Sequence, residues 1–186
     1  SMEEVLTRRI QRYLDGDEKS VDELMKRYEA ALILYITGYL HDLHEAEDLM
    51  IEAFSQIFAK ERPIGGEGSF KAYLYKTARN LSLRHKKKRR ILFLSFDELD
   101  FEPQSEVLAD TELIHSERDR QLYAALEKLK VEYREALYLV YLADLSYRNA
   151  AEVMGKSETQ ITHLVHRGKQ SLKMILEQEG FTYADE

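Results

Sequence analysis

Apolar residues return every three or four positions along almost the whole of this chain, and the two-residue alternation of a half-buried strand is scarce. A chain patterned this way must bury the stripes of its helices against one another, so the predicted fold class is all-α. Breakers divide the pattern. A short first helix over Glu3–Leu14 stops at Asp15-Gly16-Asp17. A second opens at Ser20, with Glu23 completing a capping box, and runs to about Leu40. His41-Asp42-Leu43-His44 is a tight connection, and a third helix follows to about Lys60 with Leu49, Ala53, Phe54, Ile57 and Phe58 on one stripe. Arg62-Pro63-Ile64-Gly65-Gly66-Glu67-Gly68 is expected to be a loop, because proline and glycine are costly inside a helix. Ser69 then caps a long fourth helix that reaches the basic cluster Lys86–Arg90. Four more helices are expected at about 112–129, 132–143, 147–154 and 158–177. The predicted organisation is one helical domain over 1–91, an acidic linker over 92–111, a second helical domain over 112–178 and a tail over 179–186.

Charge separates along the chain. Residues 60–90 hold eleven Lys and Arg against Glu61 and Glu67, whereas residues 95–119 hold nine acids against Arg118. The net charge of −7 argues against a simple nucleic-acid binder, but it averages over a basic surface and an acidic connector. Cysteine is absent, which removes disulfides and thiolate zinc sites and fits a reducing, cytoplasmic setting. The most apolar run, Ala30–Leu40, is too short to span a bilayer, and Glu3, Glu4, Arg8 and Arg9 interrupt any signal-peptide core, so no membrane insertion is expected. Ser1-Met2 has the look of a tag remnant.

Tyr147–Leu164 has the pattern of a helix-turn-helix. Ala150, Ala151 and Met154 form the inner face of a short helix begun by Ser146, and Gly155 suits a turn that needs positive φ. Ser157 caps the next helix, with Gln160 completing a capping box, while Ile161, Leu164, Val165, Gly168 and Leu172 supply the buried stripe. Ser157, Glu158, Thr159, Gln160, Thr162, His163, His166, Arg167 and Lys169 then lie at the start or on the outer face, where a recognition helix reads the major groove. An ordinary helical hairpin with a solvated face gives the same pattern. Lys156 departs from it, at a turn position that is normally apolar.

Two segments of the first half are equally informative. Ala46-Glu47-Asp48-Leu49-Met50-Ile51-Glu52-Ala53-Phe54 is acidic and amphipathic. Gly68-Ser69-Phe70-Lys71-Ala72-Tyr73-Leu74-Tyr75-Lys76-Thr77-Ala78-Arg79-Asn80-Leu81 interleaves cations with aromatics, a combination that suits phosphate contact and base stacking on an unpaired strand. These stretches resemble the promoter-melting domain of RNA polymerase sigma factors of the extracytoplasmic-function group, and Leu122–Leu176 resembles that group's second domain. The resemblance covers about 20–90 and 120–177, in order and with no middle domain between them.

The resemblance implies an alternative sigma factor that binds core RNA polymerase and directs it to specific promoters. Its implied partners are core polymerase (the β′ coiled coil and β), promoter DNA and an anti-sigma factor, with no cofactor. Asp48, Leu49, Glu52 and Phe54 match the polymerase-docking helix, where Ile51 stands in place of a common glutamine. Gly66, Ser69 and Phe70 match the loop that captures a base flipped from the −10 element. Lys76, Arg79, Asn80, Arg84 and Lys87 match the face beside it, with Asn80 suited to a base edge and the cations to phosphates. Tyr73 sits where tryptophan is typical, and stacking on a base and a place in the core are both open. The acidic linker is implied to thread the polymerase near the RNA path.

Enzyme readings fare poorly. His41 and His44 near Glu47 and Asp48 make a metal site conceivable, but such clusters at a helix entry are mostly surface residues, and no metal is expected. No P-loop, nucleophile elbow or zinc-protease signature is present. The rival classes are a ligand-sensing regulator that binds operators as a dimer and a protein-interaction adaptor.

Overall fold

A computed structural model of the chain describes residues 18–59, 66–95, 114 and 116–180. The expected first helix and most of the expected linker lie outside these residues. Seven α-helices are described: α1 (Glu18–Leu40), α2 (Leu43–Phe58), α3 (Gly66–Ser95), α4 (Glu117–Glu127), α5 (Val131–Leu137), α6 (Tyr147–Met154) and α7 (Glu158–Gln178). No strand occurs among the described residues. The all-α expectation therefore holds, with one helical cluster over α1–α3 and a second over α4–α7.

Local chemistry explains most boundaries. Asp42 accepts the Glu45 amide at 3.1 Å to cap α2, and Ser116 accepts that of Asp119 at 3.1 Å to cap α4. Ser146 caps α6 by accepting the Asn149 amide at 3.0 Å. Ser157 and Gln160 form the expected reciprocal capping box at the start of α7.

Several helix boundaries, and the pitch of one helix, differ from the sequence expectation; the helix expected from about 112 begins at Glu117. Helix α1 begins by Glu18, so Ser20 lies inside it and not at its start. Helix α3 begins at Gly66, not at Ser69, and continues to Ser95 through residues assigned to the linker. Its buried stripe (Phe70, Leu74, Ala78, Leu81) supplies packing that outweighs the roughly 1 kcal/mol by which a glycine disfavours helix. The helix expected at 132–143 changes pitch: after Leu137, Tyr138–Leu142 forms a π-helical turn closed by the Ala143 amide on the Tyr138 carbonyl at 2.9 Å.

The cores of the two clusters are continuous. Leu32, Ile36, Tyr35 and Tyr75 from the first cluster pack in the same apolar body as Leu137, Tyr138 and Leu139 from the second. Helix α6 lies along α3, and the Tyr35 and Tyr138 rings are 5.6 Å apart. Polar ties cross the seam. The Tyr138 hydroxyl donates to the Ala31 carbonyl at 2.5 Å. The buried Lys71 Nζ donates to the carbonyls of Ala143 and Asp144, each at 3.2 Å, so a lysine of α3 caps the end of the π turn.

Candidate polymerase and nucleic-acid interfaces

Helix α2 has two faces. Ala46, Leu49, Met50, Ala53, Phe54 and Ile57 are buried, whereas Asp48, Ile51, Glu52 and Ser55 are exposed. Asp48 and Glu52, one turn apart, form an outward acidic pair with Ile51 beside them as an apolar contact half open to solvent. Leu49 and Phe54, expected at the docking surface, instead belong to the core at 7% and 1% exposure; they hold the helix in place and present nothing to a partner. Glu45 is also committed inward, meeting Arg89 at 2.8 Å and His85 at 3.3 Å on α3.

Helix α3 sorts the expected −10 residues by helical angle. Lys76, Asn80, Arg84 and Lys87 are all exposed and follow one another at four, four and three residues, so they form a single row. Ser69 is exposed near the start of the helix. Tyr73 is half-buried: its ring packs on the core and also lines a cleft of about 400 Å³ with Gln56, Lys76, Thr77, Asn80, Leu81 and Arg84. Tyr73 thus belongs in part to the core and keeps one side toward the cleft.

Two expected residues turn away from this row. Phe70 is fully buried, 5.5 Å from the Tyr28 ring, so as it stands it is core and offers no open face to a flipped base. Arg79 points to the second cluster and donates from Nε to Glu135 Oε1 at 2.6 Å. Burial opposes the charge on Arg79, but the Glu135 carboxylate beside it outweighs that and holds the guanidinium firmly protonated. The basic cluster divides likewise: Arg89 binds Glu45 and the Leu40 carbonyl, while Lys86, Lys87, Lys88 and Arg90 stay exposed.

The helix-turn-helix forms as the pattern predicts. Ala150, Ala151 and Met154 are buried, as are Ile161, Val165 and Gly168. Gly155 has φ 64°, ψ 37°, and two hydrogen bonds close a Schellman turn: the Lys156 amide to Ala151 and the Gly155 amide to Glu152. Lys156 replaces the usual apolar contact with a half-buried stem whose Nζ lies 3.6 Å from Glu132. Thr159, Thr162, His163, His166, Arg167 and Lys169 are exposed along α7. Ser157 and Gln160 are exposed but spend their side chains on the cap, and Lys169 sits 4.6 Å over the Tyr141 ring. A Cβ at Gly168 would come within 3.2 Å of Leu137, so glycine sets the close approach of α5 and α7.

Lys71 stands in the cation–aromatic stretch, and Arg134 and Glu135 in the part of the second domain that carries the resemblance, but pattern gives none of them, nor Tyr35 or Glu152, a role of its own. A signal did exist for Glu135, which is followed at three and four residues by the buried Tyr138 and Leu139 and so is a carboxylate on an inward face.

Two family models match the chain, Sigma-70 region 2 over residues 24–91 and Sigma-70 region 4 over residues 119–172. Together they take in every surface described above. The chain is an RNA polymerase sigma factor of the extracytoplasmic-function group. This sigma factor is 25% identical over 184 residues to the ECF RNA polymerase sigma factor SigW of Bacillus subtilis, covering 94% of this chain and 98% of that one. It is 27% identical over 157 residues to SigM of the same organism, covering 84% and 94%. Its fold is similar to that of the sigma factor RpoE of Bartonella quintana, solved with the anti-sigma factor NepR (TM-score 0.67, 23% identity, 86% and 98% covered). It is also similar to that of CnrH, solved with the cytosolic domain of CnrY (TM-score 0.64, 17% identity, 92% and 97% covered). Sigma factors are not catalytic, and among the described residues no group of three or more His, Cys, Asp or Glu side chains is placed to hold a metal. No described helix is long and apolar enough to cross a membrane.

Proposed function

We propose that this sigma factor brings core polymerase to a particular set of promoters through three separated surfaces. The acidic pair Asp48 and Glu52, with Ile51, docks on the β′ coiled coil, a basic and partly apolar partner. The Lys76–Asn80–Arg84–Lys87 row with Tyr73 holds the unpaired −10 strand: cations take phosphates, Asn80 meets a base edge and Tyr73 stacks. The outer face of α7, centred on Thr159, Thr162, His163, His166 and Arg167, reads the duplex −35 element.

The observation that carries this reading is the row on α3. Four polar side chains from positions spread over three turns share one face, and three of them, Lys76, Asn80 and Arg84, border a cleft of about 400 Å³ beside Tyr73. A solvated helix face explains the exposure but not the aromatic wall beside it. An anti-sigma factor is the expected regulator, by likeness to RpoE, which is solved with one. Run-off transcription tests the proposal: core polymerase plus this chain should yield promoter-dependent transcripts that neither gives alone. Specific operator binding by the chain without polymerase, and no transcript with it, would favour a ligand-sensing regulator.

A further inference from the structure

The end of α3 carries two adjoining groups of side chains that, Lys87 apart, take no part in the contacts proposed above. Lys86, Lys87, Lys88 and Arg90 are exposed, and the turn after them is apolar. Ile91, Leu92, Phe93 and Leu94 are 55%, 58%, 42% and 70% exposed. Four consecutive positions make a full turn of an α-helix, so these side chains form a collar around α3 and not a stripe along it. Helix α2, by contrast, keeps its buried apolar residues on one side, against the core. Of the five cations in the cluster, Arg89 turns inward to Glu45 and the Leu40 carbonyl and ties the shaft of α3 to the first cluster. A contiguous exposed apolar patch rimmed by charge is the mark of an interaction surface.

We propose that the Lys86–Leu94 end of α3 binds the surface of an anionic lipid bilayer. The two groups call for a partner that is anionic beside the cations and apolar all round the turn beyond them. Nucleic acid meets the first demand only. A groove or helix of another protein would touch one side of the collar and leave the rest in water. A bilayer meets both demands, because cations rest at the level of the headgroups while a turn about 5.4 Å further along reaches the acyl boundary, which begins about 5–10 Å deep. The helix end enters the interface without crossing it, and no described helix is long and apolar enough to cross. Each Lys or Arg near such a surface strengthens binding roughly fivefold. The chain's net charge of −7 opposes an anionic surface, so the cations act locally and the attachment is sensitive to salt.

Sedimentation of the full chain with sucrose-loaded vesicles tests this. At low salt, vesicles of phosphatidylglycerol and phosphatidylcholine in equal parts should bind it about tenfold or more tighter than vesicles of phosphatidylcholine alone. Two double variants at exposed positions separate the contributions: Lys86→Glu with Lys88→Glu, and Leu92→Ser with Leu94→Ser. Each should weaken binding by about tenfold or more. Equal binding to the two kinds of vesicle, or binding that either double variant leaves unchanged, overturns the proposal. The absence of cysteine gives a second readout that needs no comparison of variant stabilities. An environment-sensitive dye on Leu94→Cys should shift to the blue when anionic vesicles are added, whereas the same dye on Lys173→Cys of α7, also exposed, should not. An equal shift at both positions, or none at Leu94→Cys, takes the lipid contact away from the collar and sinks the idea. A DNA duplex that shifts the dye on Leu94→Cys where vesicles do not would assign the surface to nucleic acid instead.

Discussion

Gly155 sets the angle between the two helices of the DNA-reading motif, and replacing it isolates a purely conformational cost. Its φ of 64° is left-handed, and a Cβ built there meets nothing within 4 Å. Gly155→Ala therefore creates no clash. It forces an L side chain into the left-handed region, at about 1–2 kcal/mol. Against that, alanine loses less conformational freedom on folding, worth about 0.4–1 kcal/mol. The net expectation is a loss of roughly 1 kcal/mol, or about a fivefold shift in the folding equilibrium. Gly155→Asn should cost less than alanine, because asparagine tolerates this region, and Gly155→Val should cost most. Urea unfolding followed by circular dichroism gives the stabilities, with an unchanged slope required for the comparison. The Schellman bonds, not the glycine itself, hold the turn closed, so duplex −35 binding in the polymerase complex should fall little for asparagine and more for valine. Alanine as stable as glycine, or asparagine worse than alanine, would refute the argument, since the cost would then come from contacts the structure does not contain.

Other predictions concern the separate surfaces. Asp48→Lys with Glu52→Lys should weaken core polymerase binding by about tenfold or more at low salt without lowering stability, whereas Phe54→Ala should cost about 3–5 kcal/mol of stability; a titration against core enzyme and urea melts separate the two. Arg167→Ala should impair recruitment and Asn80→Ala opening, so a template with a pre-melted −10 bubble should rescue run-off yield for Asn80→Ala alone. A lost bidentate base contact at Arg167 corresponds to about 1–3 kcal/mol. Burial lifts the half-buried Glu127 carboxyl to about 7, with Arg134 pulling it back. The folded chain therefore holds a proton that the unfolded chain releases, so this contribution to stability is present at low pH and is lost as pH rises from the ordinary glutamate range through about 7. Glu127→Gln should flatten that part of the pH dependence, read as the difference from wild type in urea midpoints at pH 5, 6 and 7.5.

What the chain order determined alone was everything closed within one or two helical turns. Helical period, the Ser146 and Ser157 caps, the Gln160 half of the capping box and the positive φ of Gly155 all depend on neighbours no more than five residues away. So does the sorting of α7 into a buried stripe and an outer face. The two motif sets, and with them the family, were legible for the same reason. Tertiary structure decided which of the motif residues are free. Leu49, Phe54 and Phe70 are apolar at positions that a docking or capture surface and a core would both accept, and only the packing of α1 against α2 and α3 assigns them to the core. Arg79 has the same local credentials as Lys76 and Arg84. Its partner, Glu135, is 56 residues away, and no periodicity carries that separation. The continuation of α3 through Ser95 was hidden because its last turn exposes Ile91, Leu92, Phe93 and Leu94 and has no inward stripe of its own. The joining of the two clusters was equally invisible to pattern. Its ties are a lysine on two carbonyls, a phenol on a third and one shared carboxylate, each a long-range pairing that comes into being only when the helices meet.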